Sequence, residues 1–453
     1  MQKVLIANRG EIAVRIIRAC HDLGLQTVAV YSEADAEALH VLHADEAICI
    51  GEPPSAKSYL KISNLIAACE ITGADAVHPG YGFLSENAGF ASICESSGLN
   101  FIGPPSTAIA LLGDKAAAKA TAKSVKCPVI PGSEGIVADI DAGLREAHKF
   151  GYPIFIKAVA GGGGKGIRIA YSDDDFVKKF MAARTEAEVS FNNPDVYLEK
   201  MIVNPRHVEV QIVGDKHGNY LYLGERDCSI QRRRQKLIEE APSPLVDERL
   251  RKKMGECAVA IVKAAKYHSV GTVEFLLDEE GNFYFMEVNT RIQVEHTVTE
   301  ELTGIDLVQL QLRIARGEKL ELQQKDVQLK GHVFELRINA ENPMHNFAPS
   351  PGLLEHYIPP GGPHVRVDSA CYGGYKIPPN YDSMIAKLIV KGENREEAIA
   401  HAKRALKEFH ISGVHTTIPF HQYMLDDKKF LTHDYTIGYV DQLIDNGCSF
   451  KNS

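Results

Sequence analysis

The stretch GTVEFLLDEEGNFYFMEVNTRIQVEH, residues 271–296, has two apolar runs, 273–277 and 283–288, on either side of an Asp-Glu-Glu-Gly-Asn turn. Apolar runs flanking such a turn spell a β-hairpin. An ungapped hairpin centred between Glu280 and Gly281 sets Glu274 directly opposite Glu287. Asn289, two residues further along, shares the face of Glu287. Two carboxylates and an amide oxygen then converge on an otherwise apolar sheet. Like charges placed opposite each other destabilise a sheet. A hard divalent cation reverses that penalty, because Mg2+ (or Mn2+) takes oxygen ligands and shares them with nucleotide phosphates. The alternative is a solvated hairpin face with incidental acids. The following residues argue against it: Arg291, Gln293 and Glu295 alternate again, offering a guanidinium, an amide and a carboxylate. Such a set suits a small planar anion, with Glu295 free to act as a base.

Upstream of the hairpin, residues 153–158 read as a strand running into Gly161-Gly162-Gly163-Gly164-Lys165-Gly166. The glycines satisfy G-x-G-x-x-G in form, but residues 167–171 are strand-like, so the run is a hairpin loop able to cover phosphates with bare N–H groups. It fails the P-loop pattern, because Val159 stands where the first Gly belongs. Lys157, ending the preceding strand, favours phosphate binding over a flexible tether. Kinases pair a strand lysine with a glycine-rich cover, yet the kinase catalytic-loop and D-F-G signatures are absent here. Residues 196–202, including Glu199, Lys200, Met201 and Ile202, form a further strand suited to an adenine wall. Four cations in five residues, Arg232, Arg233, Arg234 and Lys236, read either as a solvated charge run or as an anion pocket.

At the start of the chain, residues 4–7, a helix carrying Ile12, Ile16 and Ala19, and a strand at 27–31 make a right-handed βαβ unit. Residues 1–113 thus read as a doubly wound domain whose first turn lacks the dinucleotide fingerprint. Helix formers dominate 114–125, beginning with Lys115. After Glu295 the spacing predicts one helix carrying Val298, Leu302, Leu307 and Leu310. From 331 onward strands and helices alternate as a mixed α+β domain. The 453 residues exceed one core. Composition is that of a soluble enzyme: 45% hydrophobic, 24% charged, formal net charge −9. An acidic balance argues against broad nucleic-acid binding. Apolar runs fall short of the roughly 20 residues of a membrane helix, and the start is no signal peptide. Nine scattered cysteines without a C-x-x-C pair offer no zinc site or disulfide framework and fit a reducing, cytoplasmic setting.

Six motifs in order, IANRGEIA, HPGYGFLSEN, GGGGKG, RHVEVQ, ERDCSIQRR and EVNTRIQVEH, resemble the biotin carboxylase family along essentially the whole chain. The resemblance implies an ATP-grasp fold: an N-terminal Rossmann-like domain (1–113), an ATP-grasp domain (114–330) with a lid near 131–203, and a C-terminal domain (331–447). It implies ATP contacts at Lys115, Lys157, Gly163, Gly164, Lys165, Gly166, Glu199, Lys200, Met201, Ile202, His207, Gln231, Leu276 and Ile437. Glu274, Glu287 and Asn289 match metal ligands, and Lys236, Arg291, Gln293, Val294 and Glu295 match a bicarbonate pocket. Glu295 matches the base, and Tyr81 and Arg337 match biotin contacts. Arg234 stands where family members commonly have His, which keeps the positive charge but makes it permanent and gives it a longer reach. With no biotin-attachment hairpin and no room for a carboxyltransferase, the resemblance implies a free-standing protein that meets a biotin carboxyl carrier protein and separate carboxyltransferase subunits. It implies a homodimer, and ATP-dependent carboxylation of biotin through carboxyphosphate as the first half-reaction of acetyl-CoA carboxylase. Rival readings are another ATP-grasp ligase, which has no use for the Arg291/Gln293/Glu295 cradle with Arg337, and an inactive nucleotide-binding scaffold.

Overall fold

Val4, Leu5 and Ile6 are completely buried, because the first strand, β1 (Lys3–Ile6), lies in the middle of an all-parallel sheet. A computed structural model describes residues 1–159, 167–191 and 193–450. In it β2 (Gln26–Ser32), β3 (Glu46–Gly51), β4 (Ala76–His78) and β5 (Asn100–Phe101) complete the order β3-β2-β1-β4-β5. Helix Gly10–Asp22 packs Ile12, Ala13, Ile16, Ile17 and Cys20 inward at helical spacing, as expected of one apolar stripe on a sheet. The order reverses direction between β1 and β4, the place where open parallel sheets form a crevice. Asn8 ties the two strand ends together by donating to the carbonyls of Pro79 and Tyr81, both at 2.7 Å.

Contact density divides the chain into two units. One comprises Met1–Lys126, Arg206–Phe275 and Glu287–Ser453, and the other Cys127–Pro205 and Leu276–Met286. The smaller unit holds β6 (Ile154–Ala158), β7 (Ile167–Ala170) and β8 (Val196–Lys200) in the order β7-β6-β8. Both pairings are antiparallel, with Lys157 opposite Ile167 and Tyr197, so β6 and β7 are the expected hairpin arms. Helices Ile140–Phe150 and Asp173–Phe191 belong to the same unit, and Phe176, Phe180, Ile154, Ile156 and Leu198 form its core.

A second sheet runs β13-β12-β9-β10-β11-β14 and continues through strands Met384–Gly392 and Val365–Ser369. Here β9 is Arg206–Gly214, β10 Tyr220–Arg232, β11 Gln235–Ala241, β12 Ser269–Leu277, β13 Phe283–Asn289 and β14 His332–Asn339. Residues after 331 therefore extend the sheet begun at 206, with Ile238 paired to Leu336 and Leu336 to Leu388. One face is apolar: Ile238, Phe334, Leu336, Ile338, Leu388 and Val390 pack against Ala398, Ala402, Leu406 and Phe420. The opposite face carries Glu209, Gln211, Arg226, Glu239, Glu335, Arg337 and Lys387, all buried. Strands buried on both sides normally read as continuous apolar runs; here one of the two faces is charged.

Two expectations need correction. The helix after Glu295 is two helices, His296–Thr303 and Leu307–Ala315. Gly304 separates them at φ 73°, a left-handed C-cap that no periodicity count registers. Residues 290–295 are not a continuation of β13, which ends at Asn289.

Four imidazoles without exposed surface are held neutral by burial, His296 falling well below the usual range. Burial lowers His40 to about 4, His78 to about 3 and His421 to about 4. The unfolded chain takes up these protons near pH 6.5, so it binds more protons than the folded chain in the interval below. The stability they contribute is present above that pH and is lost as pH falls towards 4. His40→Gln, which binds no proton in either state, should show a shallower fall in Tm between neutral pH and about pH 5 than the parent chain. Parallel calorimetric curves would refute the assignment.

Candidate active site

The polar face of the second sheet converges on Lys236. Strict alternation along β11 breaks where Leu237 and Ile238 both join the apolar cluster, and the β10–β11 register shifts between Asp227 and Gln231. Such irregularities re-aim side chains, and Lys236 turns towards the acids. Its Nζ lies 2.6 Å from Glu209, 2.5 Å from Glu295 and 3.2 Å from Glu274. Arg337 donates from Nε to Glu239 at 2.7 Å and from a terminal nitrogen to Glu295 at 2.9 Å. Glu295 is thus held between an ammonium and a guanidinium. Burial alone would raise its pKa, but Lys236, Arg337 and Arg226 outweigh burial and keep it well below the usual carboxylate range. Burial likewise opposes the charged forms of Glu274 and Lys236. Lys236 and His207 nonetheless hold Glu274 low, and the surrounding acids hold Lys236 high.

Glu274 accepts from Asn289 and from Gln293, both at 2.8 Å, and lies 3.2 Å from His207. Burial lowers the His207 pKa, but Glu274 and Glu209 reverse that and raise it. Glu287 is half-exposed, 3.6 Å from the largely exposed Lys115. Two carboxylates and an amide oxygen are a donor set fit for a hard divalent ion; Glu274 and Asn289 already adjoin, and Glu287 supplies the second charge.

Gln293 and Glu295 reach the cluster from the loop 290–295 rather than from a strand. Arg291 meets the cluster through Asn289: its guanidinium bonds the side-chain carbonyl oxygen of Asn289 at 3.0 Å and Glu86 at 2.9 Å. The Val294 carbonyl accepts from Lys387 at 2.8 Å. Tyr81 donates to the Glu11 carboxylate, which lies 3.3 Å from Lys387.

The expected nucleotide positions divide between the units. In the larger one, His207 and Gln231 are buried, and Ile437 is half-buried just before helix Tyr439–Asp445. In the smaller one, Lys157 pairs with Glu199, consistent with Glu199 lying opposite Phe155 on β6. Lys200 donates to the carbonyls of Gly151 and Tyr152 at 3.0 and 2.9 Å. The Met201 amide donates to Pro153, and Ile202 and Leu276 are half-buried. Gly163, Gly164, Lys165 and Gly166 lie outside the described residues. The four-cation run does not form one pocket. Arg233 and Arg234, at φ 48° and 68°, are the two exposed corner residues between the paired Arg232 and Gln235. Arg232 bonds Asn346, leaving Lys236 alone to turn inward.

Sequence reasoning missed Arg226. It has no exposed surface, and its guanidinium donates to Glu209, Gln211, Thr299, Thr272 and Gln293 at 2.6–3.1 Å. All five of its N–H groups are engaged. Because the Gln293 oxygen accepts from Arg226, its amide nitrogen points to Glu274. The only signal in the sequence was an arginine inside an otherwise strand-like segment.

Family models for biotin carboxylase match at 1–109 (N-terminal domain) and 335–442 (C-terminal domain). A model for the carbamoyl-phosphate synthase L chain ATP-binding domain matches at 114–323. The biotin carboxylase of Nostoc sp. is 56% identical, over 97% of this chain and 99% of that protein. A pyruvate carboxylase subunit of Methanothermobacter thermautotrophicus is 50% identical, over 97% and 89% respectively. The biotin carboxylase domain dimer of the Hydrogenobacter thermophilus 2-oxoglutarate carboxylase, in complex with MgADP, ADP and bicarbonate, is 48% identical. It aligns over 100% of this chain and 99% of that one, with a TM-score of 0.89.

Removing Arg226 takes from the buried Glu209 one of its two cations, the other being Lys236, and breaking a buried ion pair typically costs about 3–5 kcal/mol. Arg226→Met should lower unfolding free energy by that amount in urea titrations; a loss below about 1 kcal/mol would show that the five bonds are not coupled to folding.

Proposed function

Because the chain belongs to the biotin carboxylase family, we propose that it catalyses ATP-dependent carboxylation of the biotin group on a biotin carboxyl carrier protein, with bicarbonate as the carbon source. The observation that carries the reading is Glu295, a buried carboxylate gripped by Lys236 and Arg337 and flanked by Gln293. These donors are preorganised for a planar anion and need no reorientation when it arrives. Bicarbonate entering here shares the N–H groups of Lys236 and Arg337 with Glu295. The interactions that hold Glu295 low are thereby diluted, and its basicity rises towards what proton abstraction requires.

Glu295 takes the bicarbonate proton, and the freed oxygen attacks the γ-phosphorus of ATP as ADP leaves. The resulting carboxyphosphate breaks down to CO2 and phosphate. Phosphate then removes the biotin N1 proton, and N1 attacks CO2. Arg337, with Tyr81 near it, supports the negative oxygen of the deprotonated ureido ring. A divalent ion, Mg2+ or Mn2+, held by Glu274, Glu287 and Asn289 supplies charge neutralisation for the nucleotide phosphates. Lys115, Lys157, His207 and Gln231, with the loop 163–166, are assigned to the phosphates. Glu199, Lys200, Met201, Ile202, Leu276 and Ile437 are assigned to the adenosine end. Arg291, Gln293 and Val294 complete the bicarbonate set.

The domain division at 113/114 and 330/331, with a lid near 131–203, belongs to the same reading. So do a homodimer, separate carboxyltransferase subunits for partners, cytoplasmic location, and no nucleic-acid or membrane partner. No helix among the described residues is long and apolar enough to cross a membrane. We assign the acyl acceptor as acetyl-CoA, making this the first half-reaction of acetyl-CoA carboxylase, which serves fatty acid synthesis. The likeness to a pyruvate carboxylase subunit favours pyruvate as the second reading.

The test is ADP release by the purified chain with Mg-ATP and bicarbonate, with and without free biotin. Turnover should require bicarbonate and rise with biotin; hydrolysis indifferent to both would overturn the reading in favour of another ligase. Glu295→Gln should lower bicarbonate-dependent turnover by at least about 100-fold while calorimetric Mg-ATP affinity stays nearly unchanged. Full activity in that variant would remove Glu295 as the base.

A further inference from the structure

Arg337 donates to two carboxylates, and the one that is not Glu295 has a like-charged neighbour of its own. Glu239 on β11 and Glu335 on β14 are register partners in an antiparallel pair, and neither has exposed surface. Like charges directly opposite each other destabilise a ladder, and the cost grows where both have lost water.

Each of the two carboxyl groups has one partnered oxygen. Glu239 Oε1 accepts from Arg337, and Glu335 Oε2 accepts from the Thr297 hydroxyl. Glu239 Oε2 and Glu335 Oε1 are buried without a donor. These are two orphan acceptors on directly opposed residues, and a proton on either carboxyl turns an acceptor into a donor.

The charges around the pair leave room for that proton. Facing Glu335 are Lys387 from the neighbouring strand, Glu239 from β11 and Arg337 from β14, with the Thr297 hydroxyl. Facing Glu239 are Arg337, Glu295 and Lys236. Lys387 is shared with Glu11 and Asp368 and repelled by Arg366, and Lys236 is shared with Glu209 and Glu274. The cations are oversubscribed. Burial raises Glu335 well above the usual carboxylate range, against Lys387 and with Glu239. Burial pushes Glu239 up to about 7, against Arg337 and with Glu295.

We infer that Glu335 is a buried carboxylic acid whose proton is shared with Glu239, and that Glu239 is a positioning residue that keeps one edge of Arg337 turned to Glu295. With the proton in place, Glu239 carries the one negative charge that orients the guanidinium. Once it is lost, two facing carboxylates compete for Arg337 and draw it from Glu295. The catalytic consequence rests on the proposed reaction, whereas the proton itself does not.

Infrared spectra recorded in H2O and D2O decide first. At neutral pH the wild-type chain should have a protonated-carboxyl C=O band that shifts on deuteration, is missing in Glu335→Gln, and moves in Glu239→Gln. Bicarbonate-dependent ADP release with biotin decides second. Glu335→Gln keeps the shape of the acid and cannot ionise. Its turnover near neutral pH should stay within about twofold of wild type, with the alkaline limb of kcat moved up by about one pH unit or abolished. The KM for ATP should not change. No such band in the wild type, a band retained unchanged in Glu335→Gln, or an unaltered kcat profile would overturn the inference. Should Glu335→Gln fail to fold, a band indifferent to Glu239→Gln would overturn it. A band that behaves as expected in a chain with no bicarbonate-dependent turnover would uphold the shared proton and defeat the proposed reaction instead.

Discussion

One ammonium shared among three buried carboxylates is the interaction on which the larger unit turns. Lys236 contacts Glu209, Glu274 and Glu295, and each of those acids comes from a different piece of chain. Buried ion pairs are weak evidence for stability, because desolvation offsets much of the attraction. Such a cluster persists only where nearly every charge finds a partner. The irregular β10–β11 ladder, the saturated Arg226 and the loop 290–295 meet that requirement, and each would be a defect if taken alone.

The two faces of the second sheet divide the labour. Its apolar face, packed on helices Arg395–Glu408 and Ile418–Asp426, supplies ordinary hydrophobic stabilisation of about 25 cal/mol per Å2 buried. That rigid backing lets the opposite face hold acids and bases at fixed separations, where low dielectric strengthens each contact. Gln293 illustrates the chain of control. Arg226 sets the direction of its amide, and the amide then donates to Glu274.

Electrostatics also separates the glutamates by role, although all are chemically alike. Glu295 and Glu274 are held ionised by nearby cations. Glu239 and Glu335, with fewer cations to share, are pushed the other way. Environments that drive identical groups apart in this manner are how one site offers both a base and a neutral donor.

Much of this was legible in the sequence for a physical reason: local periodicity and turn chemistry leave a record in adjacent residues. The parallel N-terminal sheet, the hairpin flanking the glycine loop, and the pairing of Glu295 with Gln293 all came from such patterns, whereas Lys236 entered through the family resemblance. Other features escaped because they depend on what lies across the fold. Arg226 is silent in sequence, since its five acceptors are scattered from Glu209 to Thr299. Arg291 alternates correctly with Gln293 and Glu295 yet is drawn to Glu86, some two hundred residues away in the chain. The break at Gly304 and the inward turn of Lys236 each hinge on one backbone irregularity. Which elements form, and which side chains are competent for chemistry, is written in the order of residues. Which charges share a partner is set by folding, because burial and pairing are properties of neighbours that the chain brings together.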